Sequence, residues 1–139
     1  MHKKIKIYTD GGARGNPGPA GCGAVIIDEN NKIVAQYKKY LGEQTNNFAE
    51  YSAVILALAE AKKMPLCQGL EIEVLMDSEL AVKQLNREYK VKNQELAKLF
   101  VKIYNLQHSF KLVNFFHVPR EMNRQADLLV NEVIDEAMK

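Results

Sequence analysis

The sequence predicts an α/β fold: a mixed five-stranded sheet with helices on both faces, its elements in the order β-β-β-α-β-α-α-β-α. Three observations lead there. Five short segments are apolar at strand period, and four others repeat their apolar residues at helical spacing. The first three strands follow one another across turn residues, as in a meander, whereas the later strands are separated by helices, as in crossover units. Finally, 139 residues that are 47% hydrophobic and 26% charged can fill one core, and suit one domain (residues 1–139) better than two.

The elements follow in order. Ile5, Ile7 and Thr9 alternate with Lys4, Lys6 and Tyr8, a strand ending at Asp10. Gly11 to Gly21, dense in glycine and proline, reads as a loop. Gly23 to Asp28 is an apolar strand, Asn30-Asn31 a tight turn, and Lys32 to Leu41 the returning strand, closed by Gly42. Thr45-Asn46-Asn47 offers helix caps, and a helix runs to about Lys63, stopped by Met64-Pro65. Its middle, Tyr51 to Ala61, is apolar nearly all round, so it is expected to be buried. Leu70 to Met76 is a strand ending at Asp77. Ser78 caps a short helix to Leu85, a polar link covers Asn86 to Asn93, and Gln94 to about Leu106 is helical. Lys111 to Val118 is the fifth strand, broken by Pro119. From Asn123 a helix runs to the end, with Ala126, Leu129, Val130, Val133, Ile134 and Ala137 as its apolar stripe.

Composition excludes a disordered or collagenous chain, and no apolar run approaches the roughly 20 residues that span a bilayer, so no membrane partner is expected. Cys22 and Cys67 form neither a disulfide framework nor a metal spacing and read as reduced thiols of an intracellular, cytoplasmic protein. The formal charge is only +2, but between Lys83 and Lys111 there are seven basic residues and two acidic ones. A basic face on a nearly neutral chain fits a polyanion binder as well as a solvated helix face.

Four carboxylates carry the chemistry. Asp10 and Asp77 each end a strand, Glu50 lies in the first turns of the buried helix, and Asp127 lies near the start of the last. If the strands bearing Asp10 and Asp77 are adjacent and parallel, all four can meet at one sheet edge. They would repel one another there unless a cation lies between them, and all-oxygen ligation suits Mg²⁺ or Mn²⁺. Two such ions clamp the attacking and leaving oxygens of an in-line phosphoryl transfer. Singly, each also fits a structural role: Asp10 in a turn, Glu50 in a capping box, Asp77 as a cap, Asp127 at a helix dipole. Other chemistries lack their motifs. No Gly-Lys-Ser/Thr follows the glycines, which removes a nucleotide loop, and His2, His108 and His117 have no ligand spacing.

These residues resemble the type 1 ribonucleases H. The match comprises Tyr8-Thr9-Asp10-Gly11-Gly12, Asn16-Pro17-Gly18 to Gly21, Thr45-Asn46-Asn47 with Glu50, Met76-Asp77-Ser78, and Asn123 with Ala126-Asp127, in family order over essentially the whole chain. The resemblance implies a ribonuclease H-like fold. It also implies a monomeric enzyme that cleaves the RNA strand of RNA/DNA hybrids to 5′-phosphate and 3′-hydroxyl ends. By the same resemblance Asp10, Glu50, Asp77 and Asp127 hold two Mg²⁺ or Mn²⁺ ions, Asn16 and Asn46 touch the hybrid's minor groove, and Thr45 and Asn93 form a pocket for a DNA-strand phosphate. The chain departs from the family in three ways. Only Asn86 to Asn93 stands where many members carry a basic, Trp-containing protrusion, and the chain has no Trp. The loop before Asp127 is short and lacks the family's histidine: Arg120 is one candidate to replace it, and His117, which falls in a strand pattern, is the other. No additional hybrid-binding domain is expected within these residues. The alternatives are a relative that also cuts double-stranded RNA and a non-catalytic hybrid-binding module.

Overall fold

Strand β1 (Lys4–Ala13) is the centre from which the sheet is built in the computed structural model, which describes residues 4–139. His2 lies outside the described residues. On one side β1 pairs antiparallel with β2 (Gly18–Ile27), which pairs antiparallel with β3 (Ile33–Gln44). On the other side it pairs parallel with β4 (Glu71–Met76), which pairs parallel with β5 (Leu112–His117). The order β3-β2-β1-β4-β5 is the mixed five-stranded sheet that the element sequence predicts.

Four helices cover it: α1 (Asn46–Lys62), α2 (Glu79–Leu85), α3 (Gln94–Gln107) and α4 (Arg124–Ala137). Strand alternation divides the work. Ile5, Ile7, Ala24, Ile26, Ile72 and Val74 point to one face, where they share a core with Tyr51, Val54 and Leu58 of α1, Leu85 of α2 and Ile103 of α3. Among the described residues the opposite face is covered by α4, through Ala126 and Leu129 against Val25 and a second small cluster of Val130, Val133 and Ile134. Ala137, expected to extend that stripe, is exposed at the end of the helix. The chain turns at Asn30-Asn31 as expected, with the Asp28 carboxylate accepting from the N–H groups of Asn30 and Lys32 at 2.9 Å. Both cysteines are buried and free. Among the described residues, no helix is long and apolar enough to cross a membrane.

Two expectations are corrected. The glycine-rich stretch is mostly strand, not loop: β1 continues to Ala13, β2 begins at Gly18, and only residues 14–17 turn, with a cis Asn16–Pro17 peptide. Glycine serves here for close approach. A Cβ on Gly11 would lie 2.1 Å from the Ala49 carbonyl oxygen of α1, and one on Gly21 would lie 2.5 Å from Val133 Cγ1 of α4. Nor does Gly42 end its strand. Gly42, at φ +73°, pairs with Ala20 while Tyr40 pairs with Gly21, so Leu41 is the extra residue of a bulge and β3 runs on to Gln44.

Candidate active site

The last paired residues of the two central parallel strands are Tyr8 and Leu75. Asp10 and Asp77 each stand two residues further on, at matching heights on neighbouring strands. The condition for their meeting, adjacent and parallel strands, is therefore met. Glu50 arrives because the absent side chain of Gly11 lets the α1 backbone, at Ala49 and Glu50, lie directly against β1. Asp127 arrives on the first turn of α4. All four carboxylates line one cleft of about 340 Å³, together with Asn46 and Arg120.

The electrostatics register this crowding. Burial, then repulsion from Asp77 and Asp127, and finally from Glu50, push the Asp10 carboxyl up to about 8, and the Asp127 side chain is within hydrogen-bonding reach of it. Burial pushes Glu50 up to about 7, and Asp77 adds to this, while a hydrogen bond to Ser78 and the charge of Arg120 oppose it. Two carboxyls raised by burial first and by mutual repulsion second mark a crowded acidic site whose charge the protein itself does not fully neutralise.

That donor set suits a hard divalent cation: the cleft lining has four carboxylates and no histidine or cysteine. Among the described residues, no three His, Cys, Asp or Glu side chains close into a ready-made cage. An open cleft of this kind fits Mg²⁺, which retains several waters and takes only one or two carboxylates from the protein.

Of the remaining predicted residues, Asn46 and Arg120 line the cleft, and Asn16, Thr45 and Asn93 stand outside it. Thr45 caps α1, its Oγ1 accepting from the Phe48 N–H at 3.1 Å. Asn93 caps α3, its Oδ1 accepting from the N–H groups of Glu95 and Leu96 at 2.9 and 3.1 Å. Asn16 and Asn46 interlock the 14–17 turn with the start of α1. The Asn46 N–H donates to Asn16 Oδ1 at 3.0 Å, and the Ala13 N–H donates to Asn46 Oδ1 at 2.8 Å. Both residues are exposed and use their amide oxygens internally, which leaves the NH₂ groups as their donors. His117 ends β5 opposite Met76, exposed and not lining the cleft, whereas Arg120, in the short turn Arg120–Met122, does line it.

Sequence reasoning missed Arg14 and Asn131, which also line the cleft. Arg14 joins the β1–β2 turn to α4, through Asp135 at 2.7 Å and the side chain and carbonyl of Asn131 at 3.3 and 3.4 Å. No local pattern announces a bond across more than a hundred residues.

Comparison with known proteins finds relatives of both the sequence and the fold. A family model described as "Reverse transcriptase-like" matches residues 8–133. The chain is 43% identical, over 96% of its length, to the "Bifunctional protein Rv2228c" of Mycobacterium tuberculosis strain H37Rv, of which it covers 36%. It is 38% identical to the "Ribonuclease HI" of Halobacterium salinarum, over 96% of this chain and 66% of that one. The chain thus spans about a third of the first of these relatives and two thirds of the second. Among solved structures, LC11-RNase H1 in complex with an RNA/DNA hybrid superimposes with a TM-score of 0.93 at 48% identity, covering 97% of this chain and 99% of that one.

Proposed function

Given that the chain belongs to the ribonuclease H family, we propose that it is a metal-dependent endoribonuclease, a single catalytic domain that hydrolyses the RNA strand of RNA/DNA hybrids and leaves 5′-phosphate and 3′-hydroxyl ends. The observation that carries this reading is the convergence of four carboxylates from four separate elements on one cleft, with two of them driven up to about 8 and about 7. Asp10, Glu50, Asp77 and Asp127 are the residues that would hold two Mg²⁺ or Mn²⁺ ions. When bound, such ions supply an activated water and charge stabilisation for the 3′-oxygen leaving group.

The chain's own groups position the hybrid. With their oxygens bonded internally, Asn16 and Asn46 offer NH₂ groups as neutral donors, suited to the acceptors and 2′-hydroxyls of a wide minor groove, which is where RNA is told from DNA. Thr45 and Asn93 stand at the N-termini of α1 and α3, where the Thr45 hydroxyl, the Asn93 NH₂ and the helix dipoles favour a DNA-strand phosphate. Arg120 adds a positive charge at the rim of the cleft and neutralises part of the carboxylate cluster.

The test is cleavage of sequence-matched RNA/DNA, RNA/RNA and DNA/DNA duplexes, each with Mg²⁺, with Mn²⁺ and with chelator. Metal-dependent cleavage confined to the RNA strand of the hybrid is the expected result. Comparable cleavage of RNA/RNA would assign the altered substrate range instead, and hybrid binding without cleavage would leave a binding module.

A further inference from the structure

Asn123 is 1% exposed, and the structure uses nearly all of its hydrogen-bonding groups to join parts of the candidate site. Its side-chain Nδ2 donates to the Thr9 carbonyl at 2.8 Å, next in sequence to Asp10. Its carbonyl accepts the Asp127 N–H at 3.1 Å, the first hydrogen bond of α4. Its own N–H donates to the Arg120 carbonyl at 2.9 Å, closing the turn that carries Arg120. One buried residue thus links the backbone beside Asp10, the backbone of Asp127 and that of Arg120.

An asparagine before a helix ordinarily turns its side chain back to cap that helix. Asn123 stands at the cap position of α4, yet its side chain makes no capping bond and crosses to β1 instead. The cost is visible: Asn123 Oδ1 is buried without a partner, as is the neighbouring strand's Thr9 Oγ1. An arrangement that gives up a cap and leaves a buried acceptor unpaired, in order to reach the residue next to Asp10, is specified by something other than the stability of α4.

We infer that Asn123 is a positioning residue that fixes Asp127 and Arg120 relative to Asp10, and through them the affinity of the site for its first divalent cation. The inference rests on the metal-binding reading above and adds to it a residue that touches neither ion nor substrate. The face that α4 covers gives such a tie weight, because its apolar clusters are small: besides the short turn before it, the helix start is held by Ala126 and Leu129 against Val25.

The experiment is calorimetric titration of the full chain with Mn²⁺, with no substrate and no turnover, on the parent, on Asn123→Ala and on Val133→Ala, alongside thermal unfolding. Val133 is buried on the same helix, packs over Gly21 and does not line the cleft, so its truncation reports loss of α4 packing alone. Asn123→Ala is expected to weaken Mn²⁺ binding by about 10-fold or more at a temperature where it is folded, as for other residues that orient metal ligands. Val133→Ala is expected to lower the melting temperature and keep Mn²⁺ affinity within about twofold of the parent. If Asn123→Ala does not fold, Asn123→Ser serves: its hydroxyl is too short to span to Thr9, and the same loss of affinity is expected. Parent-like affinity in either Asn123 variant, or an equal loss in Val133→Ala, overturns the inference while leaving the proposed function standing. A parent that takes up no Mn²⁺ overturns both.

Discussion

On one face of the sheet, α1, α2 and α3 share a continuous apolar core that includes Tyr51, Leu58, Leu85 and Ile103. On the other, α4 covers β1, β2 and β3 over two separate small clusters, and the outer side of the edge strand β5 stays open, with Leu112 and Phe116 47% and 42% exposed. Polar ties supplement the second face: Arg14 to Asp135, Lys38 to Glu132 and Glu136, and Asn123 to Thr9. The site lies at the rim common to both, taking Glu50 from the helix of the well-packed face and Asp127 from the helix of the lightly packed one. The contrast teaches that the core fixes one wall of the cleft, while the other depends on specific bonds and on the charge held between the walls.

The strongest way to test that division is to remove charge where the faces meet. Asp10→Asn is expected to reduce hybrid cleavage by about three orders of magnitude, the several kcal/mol that a metal site supplies to the transition state. The fold should persist, and the metal-free melting temperature should be equal or higher, because a repelling carboxylate is gone. Turnover like the parent's would remove Asp10 from the site.

Placing the same added methyl on each face should give unequal damage. In Gly11→Ala the new Cβ meets backbone, the Ala49 carbonyl at 2.1 Å, so α1 must move off β1 and a loss beyond about 3 kcal/mol is expected. In Gly21→Ala it meets a side chain rather than backbone, a Val133 methyl at 2.5 Å, on a helix held by small clusters that can shift, so about 1–2 kcal/mol is expected. Denaturant unfolding of the two variants checks this, and equal losses would show that both faces are packed alike.

A change of pH should load the shared rim in the same direction. Asp10 and Glu50 are raised from 3.8 and 4.5 to about 8 and about 7, so between pH 4 and pH 8 the unfolded chain releases protons that the folded chain retains. The unfolded state then binds fewer protons, and metal-free stability is expected to fall as pH rises through this window. Mg²⁺ should reverse the trend, because ionised carboxylates bind it. Melting temperatures from pH 4.5 to 8.5, with chelator and with Mg²⁺, test both halves, and a flat metal-free profile would contradict the first.

The smallest effect separates two rim residues. Arg120→Ala is expected to slow turnover about 10-fold with less effect on hybrid binding, whereas His117→Ala should change little, since it ends a strand outside the cleft. A pH-dependent loss in the histidine variant would reverse that assignment.

Much of this was legible in the chain because period and punctuation are local. The strand carrying Ile5, Ile7 and Thr9, the helix stopped before Pro65 and the turn at Asn30-Asn31 all stand where the residues place them. Asp10 and Asp77 were recognisable as strand-end carboxylates, but their meeting depended on β1 and β4 being neighbours, which only the topology decides. The glycines of 11–21 were misread because local rules treat glycine as a turn former, while here Gly11 and Gly21 answer to helices roughly 40 and 110 residues away. Arg14 and the reach of Asn123 were hidden for the same reason: their partners are Asp135 and Thr9.

The order of pairing in the sheet also sets the order in which the site can come into being. The hairpins β1–β2 and β2–β3 join residues close in sequence, so their loop-closure cost is small and they can form early. The β1–β4 pairing that brings Asp77 beside Asp10 must close some sixty residues of chain, and the Asn123 to Thr9 bond that anchors Asp127's helix spans 114. The cleft is thus assembled from contacts distant in sequence. A partly folded chain holding only the meander and α1 would carry Asp10 and Glu50 but no site, and a divalent ion would add its stabilisation only to the completed fold.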